Sequence, residues 1–161
     1  MTEQPSIAFL FRHPAHFIAL GFGAGLSPVA PGTIGTLVAI PLAFLLRAYA
    51  GDMAYIIVVA VLFGAGAWAA QVAGRNLGVP DAGAIVIDEI AAFLLVLFFV
   101  GPGWIQLLAA FAVFRAFDIV KPPPIRQLDA QMKNGVGVML DDLLAAGYTL
   151  LVLALLKRIS G

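Results

Sequence analysis

The sequence of 161 residues has no cysteine and few charged residues. Without cysteine the chain can form no disulfide, no thiolate metal site and no cysteine nucleophile. Charged residues make up 11% of the chain, whereas a typical soluble domain has about 25%. Nine basic and nine acidic side chains cancel, so no net charge recruits nucleic acid.

Apolar residues take the place of the missing charges and reach 62% of the chain. A soluble helical bundle needs a polar face on each helix, and this composition cannot supply those faces. The composition therefore predicts a multi-pass integral membrane protein. The length suits a single domain, residues 1–161, in which residues 1–35 form an interfacial, glycine-rich N-terminal segment.

Five apolar runs predict the helices of this domain. They occupy residues 36–50, 53–73, 85–100, 104–120 and 138–156. A helix that spans a bilayer needs about 20 mostly apolar residues. We therefore predict an all-α membrane bundle of about five helices. Pro41 lies inside the first run and should kink or interrupt it, so the first helix is expected to be kinked or re-entrant.

Alternating helix direction assigns each loop to one side of the membrane. The N-terminal segment and the loops at 75–83 and 121–137 fall on one side. The basic residues of that side are Arg12, Arg75, Lys121, Arg126 and Lys133. Because basic residues favour the cytoplasmic side of a membrane, we expect this side to face the cytoplasm.

Five carboxylates fall near the ends of predicted helices on the same side. They are Asp88, Glu89, Asp118, Asp141 and Asp142. Acids at the start of a helix can simply complement its dipole, which is the plainer explanation for four of them. Asp118 ends a helix, where negative charge is disfavoured, so it needs a cation. Arg115, Lys121 or a metal ion could supply one.

Small residues next to the acid pairs favour convergence of the acids. Ala91 and Ala92 follow one pair, and Ala145, Ala146 and Gly147 follow the other. Small faces allow membrane helices to approach closely. A cluster of carboxylates repels itself unless a cation lies among them. Oxygen ligands without His or Cys favour a hard ion, and Mg²⁺ bound by carboxylates together with a substrate phosphate is the usual arrangement.

Candidate phosphate-binding residues lie on the same side. Arg115, Lys121 and Arg126 could bind a phosphate there. The glycine-rich "GFGAGLSPVAPGTIGT" leads into a predicted helix, with Thr33 or Thr36 as its cap, and a helix start presents free N–H groups to an anion. A re-entrant turn without a ligand is the alternative explanation for that segment.

Four segments in order resemble the bacterial phosphatidylglycerophosphatase A family. They are "GFGAGLSPVAPGTIGT", "IVIDEIAAF", "FRAFDIVKPPPIRQLD" and "GVGVMLDDLLAAG", and they cover residues 21–147. The resemblance implies a Mg²⁺-dependent phosphatase of the bacterial inner membrane with its site on the cytoplasmic side. It would remove the terminal phosphate of phosphatidylglycerophosphate and release phosphatidylglycerol for phospholipid biosynthesis.

The resemblance also implies the site residues. The family's acidic motif falls on Asp88 and Glu89, its Phe-Asp-x-x-Lys-Pro motif contains Asp118 and Lys121, and its paired aspartates fall on 141 and 142. Its glycine-rich opening falls on Gly23, Pro31, Gly32 and Thr33. One departure is "LDAQMKNGVG", where many members have an arginine after the aspartate and a Gly-Gly pair.

These observations predict a set of site residues and leave two competing functions. The catalytic residues are Asp88, Glu89, Asp118, Lys121, Asp141 and Asp142; the metal ligands are Asp88, Glu89, Asp118 and Asp142; the phosphate-binding residues are Thr33, Thr36, Arg115, Lys121 and Arg126. A small ion-coupled transporter would place its acids near mid-membrane. A CDP-alcohol phosphotransferase would show a spaced aspartate pattern that is absent here. The number of metal ions, the nucleophile, the lipid chain preference and the oligomeric state stay open.

Overall fold

The computed structural model describes residues 5–160, and this part of the chain contains helices and connecting loops but no strand. Helices account for 81% of the structure, which confirms the predicted all-α class. The α-helices are α1 (Ile7–Arg12), α2 (Pro14–Ala19), α3 (Pro31–Tyr49), α4 (Gly51–Leu77), α5 (Ile87–Phe99), α6 (Trp104–Val120), α7 (Ile125–Gln131) and α8 (Gly135–Ser160). A 3₁₀ helix, Gly21–Leu26, lies between α2 and α3.

The described residues thus contain nine helices instead of about five. The five long ones, α3, α4, α5, α6 and α8, correspond to the five apolar runs. The other four, α1, α2, the 3₁₀ helix and α7, have six or seven residues each. Segments of two turns or less are too short to show a helical period in the sequence, so they were missed.

Helix α3 begins differently from the prediction and does not break at its proline. Pro31 occupies the first helical position, and Ala30 precedes it in the left-handed conformation with no side-chain cap. The prediction that Thr33 or Thr36 caps this helix was wrong, because proline at the first position starts the helix earlier. The helix then continues through Pro41 to Tyr49 without interruption.

Within the described residues, three helices are long and apolar enough to cross a membrane: α3, α4 and residues Gly135–Ile159 of α8. Their outer faces carry exposed large apolar side chains such as Ile57, Val61 and Leu151. Because water would not favour such faces, this surface fits a membrane. The chain is therefore associated with a membrane through several apolar helices.

Helix α5 is the centre of the bundle. Its 13 residues extend only about 20 Å, which is less than the hydrocarbon thickness of about 30 Å. Helices α3, α4 and α8 all pack against it. Ala92 of α5 lies in one buried core with Ala145 and Ala146 of α8, as the small-residue pattern predicted. Gly147 is exposed instead.

The N-terminal helices are fixed to α4 by a buried histidine. One ring nitrogen of His16 lies 2.8 Å from the carbonyl oxygen of Phe9 and the other 2.7 Å from the side-chain nitrogen of Asn76. The following 3₁₀ helix lies against the loop before α5, so closely that a Cβ at Gly25 would be 1.9 Å from the carbonyl oxygen of Ala84. This packing fixes where α3 and α5 begin.

Candidate active site

The five acids of the sequence analysis lie at one end of the bundle, which we call the acidic end. Asp88 and Glu89 are in the first turn of α5. Asp118 is in the last turn of α6, and Asp141 and Asp142 are in the second turn of α8. Three of the acids lie close enough together to hold one metal ion. Arg115 forms ion pairs with two of the acids, and Lys121 with one. The predicted alternation of helix direction accounts for this placement.

Three of the acids form a buried aspartate cluster: Asp88, Asp141 and Asp142. One carboxylate oxygen from each lies within 4.8 Å of the others. The three residues are 8%, 4% and 2% exposed, respectively. One oxygen of Asp88 and one of Asp142 are buried without a hydrogen-bond partner among residues 5–160. Unpartnered buried carboxylate oxygens are costly, so this oxygen-only cluster fits a bound hard cation.

The other two acids surround Arg115 instead of joining the cluster. Its Nη1 forms an ion pair with Asp118 and lies 3.3 Å from Oε1 of Glu89. Oε2 of Glu89 and Nε of Arg115 are buried and have no hydrogen-bond partner in the described part of the chain. The first turn of α3 packs directly against this pair. A Cβ at Gly32 would lie 1.9 Å from Oε1 of Glu89 and 3.2 Å from Nη1 of Arg115. Only glycine leaves room there.

Lys121 connects the cluster to helix α7. It follows α6 in the left-handed conformation with φ 46°, and its Nζ forms an ion pair with Asp141. A second carboxylate, Asp129 of α7, lies 3.6 Å from the same Nζ. Burial by itself lowers the pKa of Lys121. The hydrogen bond that Lys121 donates to Asp141 and the charges of Asp141, Asp129 and Asp81 outweigh it, so the pKa of Lys121 is above its usual range and the side chain stays cationic.

The geometry groups the acids differently from the ligand set predicted from the sequence. That set contained Glu89 and Asp118 and left out Asp141. In the structure Asp141 joins Asp88 and Asp142, whereas Glu89 and Asp118 share Arg115.

The remaining predicted phosphate-binding residues occupy three different environments. Thr36 is fully buried, and its hydroxyl donates to the carbonyl of Gly32 within α3 at 2.9 Å. Thr33 is partly exposed in the first turn of α3. Arg126 is exposed on α7 and forms no ion pair with another described residue.

Two further acids lie at the acidic end without having been identified from the sequence. Asp129 contacts Lys121, and Asp81 contributes to the field at Lys121. Asp81 also lines a cavity of about 350 Å³ together with Ser27 and Pro31. Each is a single acid outside the apolar runs, in "VPDAG" and in "RQLDA", and such acids are common. Only the folded arrangement distinguishes them.

Comparison with known proteins identifies one family. The model of the family described as phosphatidylglycerophosphatase A matches residues 17–157. Phosphatidylglycerophosphatase A of Haemophilus influenzae is 42% identical over 154 residues, which covers 94% of each chain. That of Escherichia coli K12 is 37% identical over 83% of this chain and 77% of the relative.

A third relative, from Bacteroides thetaiotaomicron, is 40% identical over 89% of this chain and 94% of its own. It is provisionally named a phosphatidylinositol-3-phosphatase. No solved structure matches the chain. The helical membrane fold, the buried carboxylates and these matches define a membrane-associated lipid phosphatase, a phosphoric monoester hydrolase. The chain belongs to the phosphatidylglycerophosphatase A family, as the four sequence segments indicated.

Proposed function

We propose that the protein is a Mg²⁺-dependent phosphatidylglycerophosphatase of phospholipid biosynthesis. It hydrolyses the terminal phosphate of phosphatidylglycerophosphate to give phosphatidylglycerol and inorganic phosphate. The observation that carries this proposal is the cluster of three buried aspartates with two unpartnered oxygens. In this member of the phosphatase family, Lys121 pairs with Asp141 of the cluster, and Arg115 pairs with Glu89, the neighbour of Asp88 in the sequence.

Asp88, Asp141 and Asp142 would hold the Mg²⁺ ion. Their donors are all carboxylate oxygens, the ligand type that a hard ion such as Mg²⁺ takes, and water and the substrate phosphate would complete the coordination. When bound, the ion would polarise the phosphate and lower the pKa of a bound water. Glu89 and Asp118, which the sequence analysis also assigned as ligands, have a different part in this proposal because both pair with Arg115.

Arg115 and Lys121 would stabilise the negative charge of the transferred phosphoryl group. Glu89 and Asp118 fix the guanidinium of Arg115 through its Nη1 and leave its Nε without a hydrogen-bond partner among the residues that the structure describes. The ammonium of Lys121 lies beside the aspartate cluster. Thr33 and Arg126 lie on neighbouring elements at the same end and are the outer candidates for head-group contacts.

We place the protein in the bacterial inner membrane as one multi-pass domain, with the acidic end toward the cytoplasm. The loops and helix ends at the acidic end carry Arg75, Arg126 and Lys133, and basic side chains favour the cytoplasmic side. Helix α5 packs against α3, α4, α6 and α8, which supports one folding unit.

The position of the acids weighs against an ion-coupled transporter. Transport sites lie near the bilayer midplane, whereas these carboxylates lie within two turns of a helix end.

The Bacteroides relative makes phosphatidylinositol 3-phosphate a second candidate substrate, because the same cluster could bind its phosphomonoester.

The test is release of inorganic phosphate by the purified full-length protein in detergent. Phosphatidylglycerophosphate and phosphatidylinositol 3-phosphate are supplied separately, each with Mg²⁺ or with a chelator. We expect Mg²⁺-dependent release from the first lipid, loss in Asp142→Asn, and wild-type activity in Asp52→Asn. The control makes the same chemical change at an exposed position at the far end of the bundle. A folded wild-type protein that releases no phosphate from either lipid contradicts the proposal.

A further inference from the structure

Four charged side chains of alternating sign form a row that leads from solvent into the aspartate cluster. Nζ of Lys133 lies 2.9 Å from one oxygen of Asp129, whose other oxygen lies 3.6 Å from Nζ of Lys121. Lys121 then pairs with Asp141. The exposed fraction of the side chains falls along the row, from 50% to 27%, 24% and 6%. Asp129 is therefore the half-buried link between the surface and the proposed site.

Lys121 needs a second anchor besides Asp141. Its long side chain can adopt many rotamers, with about 2 kcal/mol of conformational entropy, and a single ion pair does not restrict it to one position. Asp141 also belongs to a cluster of three carboxylates that repel one another. A displaced ammonium would leave that repulsion uncompensated. Asp129 faces the same Nζ from the other direction and limits the movement of the ammonium.

Helix α7 holds Asp129 at the required position. Ile125 at its start is fully buried, and the hydroxyl of Tyr148 on α8 donates to the carbonyl of Pro123 at 3.1 Å. The carboxylate itself stays ionised. Partial burial raises the pKa of Asp129, but the hydrogen bond from Lys133 and the charges of Lys121 and Lys133 outweigh that effect and lower it.

We infer that Asp129 is a positioning residue for the phosphatase reaction: it holds the ammonium of Lys121 beside Asp141, where the cation faces the substrate phosphate. This inference rests on the proposed function. Asp129 acts only through Lys121. An ordinary i,i+4 surface pair with Lys133 would need only one carboxylate oxygen, whereas the second oxygen of Asp129 is directed at Lys121.

The first test is steady-state kinetics of phosphate release from phosphatidylglycerophosphate. Outer partners of a metal site cost about 10–100-fold when removed. We therefore expect Asp129→Asn to lower kcat about tenfold with little change in KM, because the cation acts on developing charge. Asp129→Glu keeps the charge and should recover most of the loss. Asp52→Asn, the matched control, should behave as wild type.

The second test is independent of activity. Thermal unfolding is measured for Asp129→Asn, Lys121→Met and the double variant, each without metal. Contacting residues give non-additive changes, so the double variant should lose less than the sum of the single losses. Additive losses, or a folded Asp129→Asn with wild-type kcat, overturn the inference. A wild-type protein without phosphatase activity overturns the proposed function, and the role of Asp129 in it, even if the unfolding data show coupling.

Discussion

The two ends of the helix bundle differ in whether their polar groups find hydrogen-bond partners within the protein. At the end opposite the acids, Arg47 of α3 donates to the last carbonyls of α5, those of Leu97, Phe98 and Val100, at 3.2 Å for Phe98 and 2.7 Å for Val100. A cation at a helix C-terminus is stabilising, and the chain satisfies these carbonyls by itself. At the acidic end the buried polar groups exceed what the chain satisfies.

The unsatisfied atoms make the comparison quantitative. Within the described residues, four buried side-chain nitrogen or oxygen atoms have no hydrogen-bond partner. They belong to Asp88, Glu89, Arg115 and Asp142, and all are at the acidic end. Buried polar atoms are normally satisfied, so a concentration of exceptions in one place indicates a site that a ligand completes. On the proposed function, one end of the bundle contributes to stability and the other binds the metal and the substrate.

The largest effect should follow from removal of one carboxylate of the cluster. Asp88→Asn is expected to lower phosphatase activity by more than about 100-fold, because a ligand lost from the metal itself costs more than an outer partner. The same change should raise the unfolding temperature of the metal-free protein, since it removes repulsion between buried carboxylates. Both quantities come from one preparation, by phosphate release and by thermal unfolding. Activity and stability that fall together would mean that Asp88 is structural.

A smaller effect is expected where α3 closes over Glu89. Gly32→Ala places a Cβ against Oε1 of Glu89, and overpacking of this kind costs about 1–3 kcal/mol. Activity should fall about tenfold as Glu89 and Arg115 are displaced.

Gly64→Ala is the matched control for that substitution. The Cβ at Gly64 meets nothing within 4 Å, and alanine is favoured over glycine inside a helix by about 0.5–1 kcal/mol. This variant should keep full activity and unfold at the same temperature or higher. Equal behaviour of the two alanine variants in kinetics and unfolding would rule out the close approach of α3 to Glu89.

The smallest effect on activity is expected at the opposite end. Arg47→Met removes the donor to the α5 carbonyls and should destabilise the protein by about 1 kcal/mol, with kcat unchanged. Thermal unfolding and phosphate release measure the two effects separately. A loss of kcat as large as that of Gly32→Ala would show that the two ends are not functionally distinct.

The sequence predicts the long helices and the end at which the acids meet. Five apolar runs give the five long helices, and alternation of their direction is enough to place Asp88, Asp118 and Asp142 together. The sequence does not predict which side chains of different helices contact one another. Adjacent residues in a helix point about 100° apart, so Asp88 joins the cluster while Glu89 turns to Arg115. Which way each points depends on where the neighbouring helices lie.

The residues missed from the sequence share one physical cause. Asp129 and Asp81 acquire their importance from the position of Lys121. This lysine directly follows α6 and itself adopts the left-handed conformation, which sets the direction of its side chain. The start of α3 at Pro31 likewise depends on the preceding chain, since Ala30 adopts a left-handed conformation that few non-glycine residues favour. Neither conformation has a clear signal in the amino-acid pattern.

The central claim is that Asp88, Asp141 and Asp142 form a metal site, and metal-dependent unfolding tests it most directly. A ligand that binds only the folded protein stabilises it by about 2.7 kcal/mol at 100 times its dissociation constant. We predict that Mg²⁺ raises the unfolding temperature of the wild type and of Asp52→Asn but leaves that of Asp142→Asn unchanged. An equal shift in all three proteins, or none in the wild type, would contradict the account.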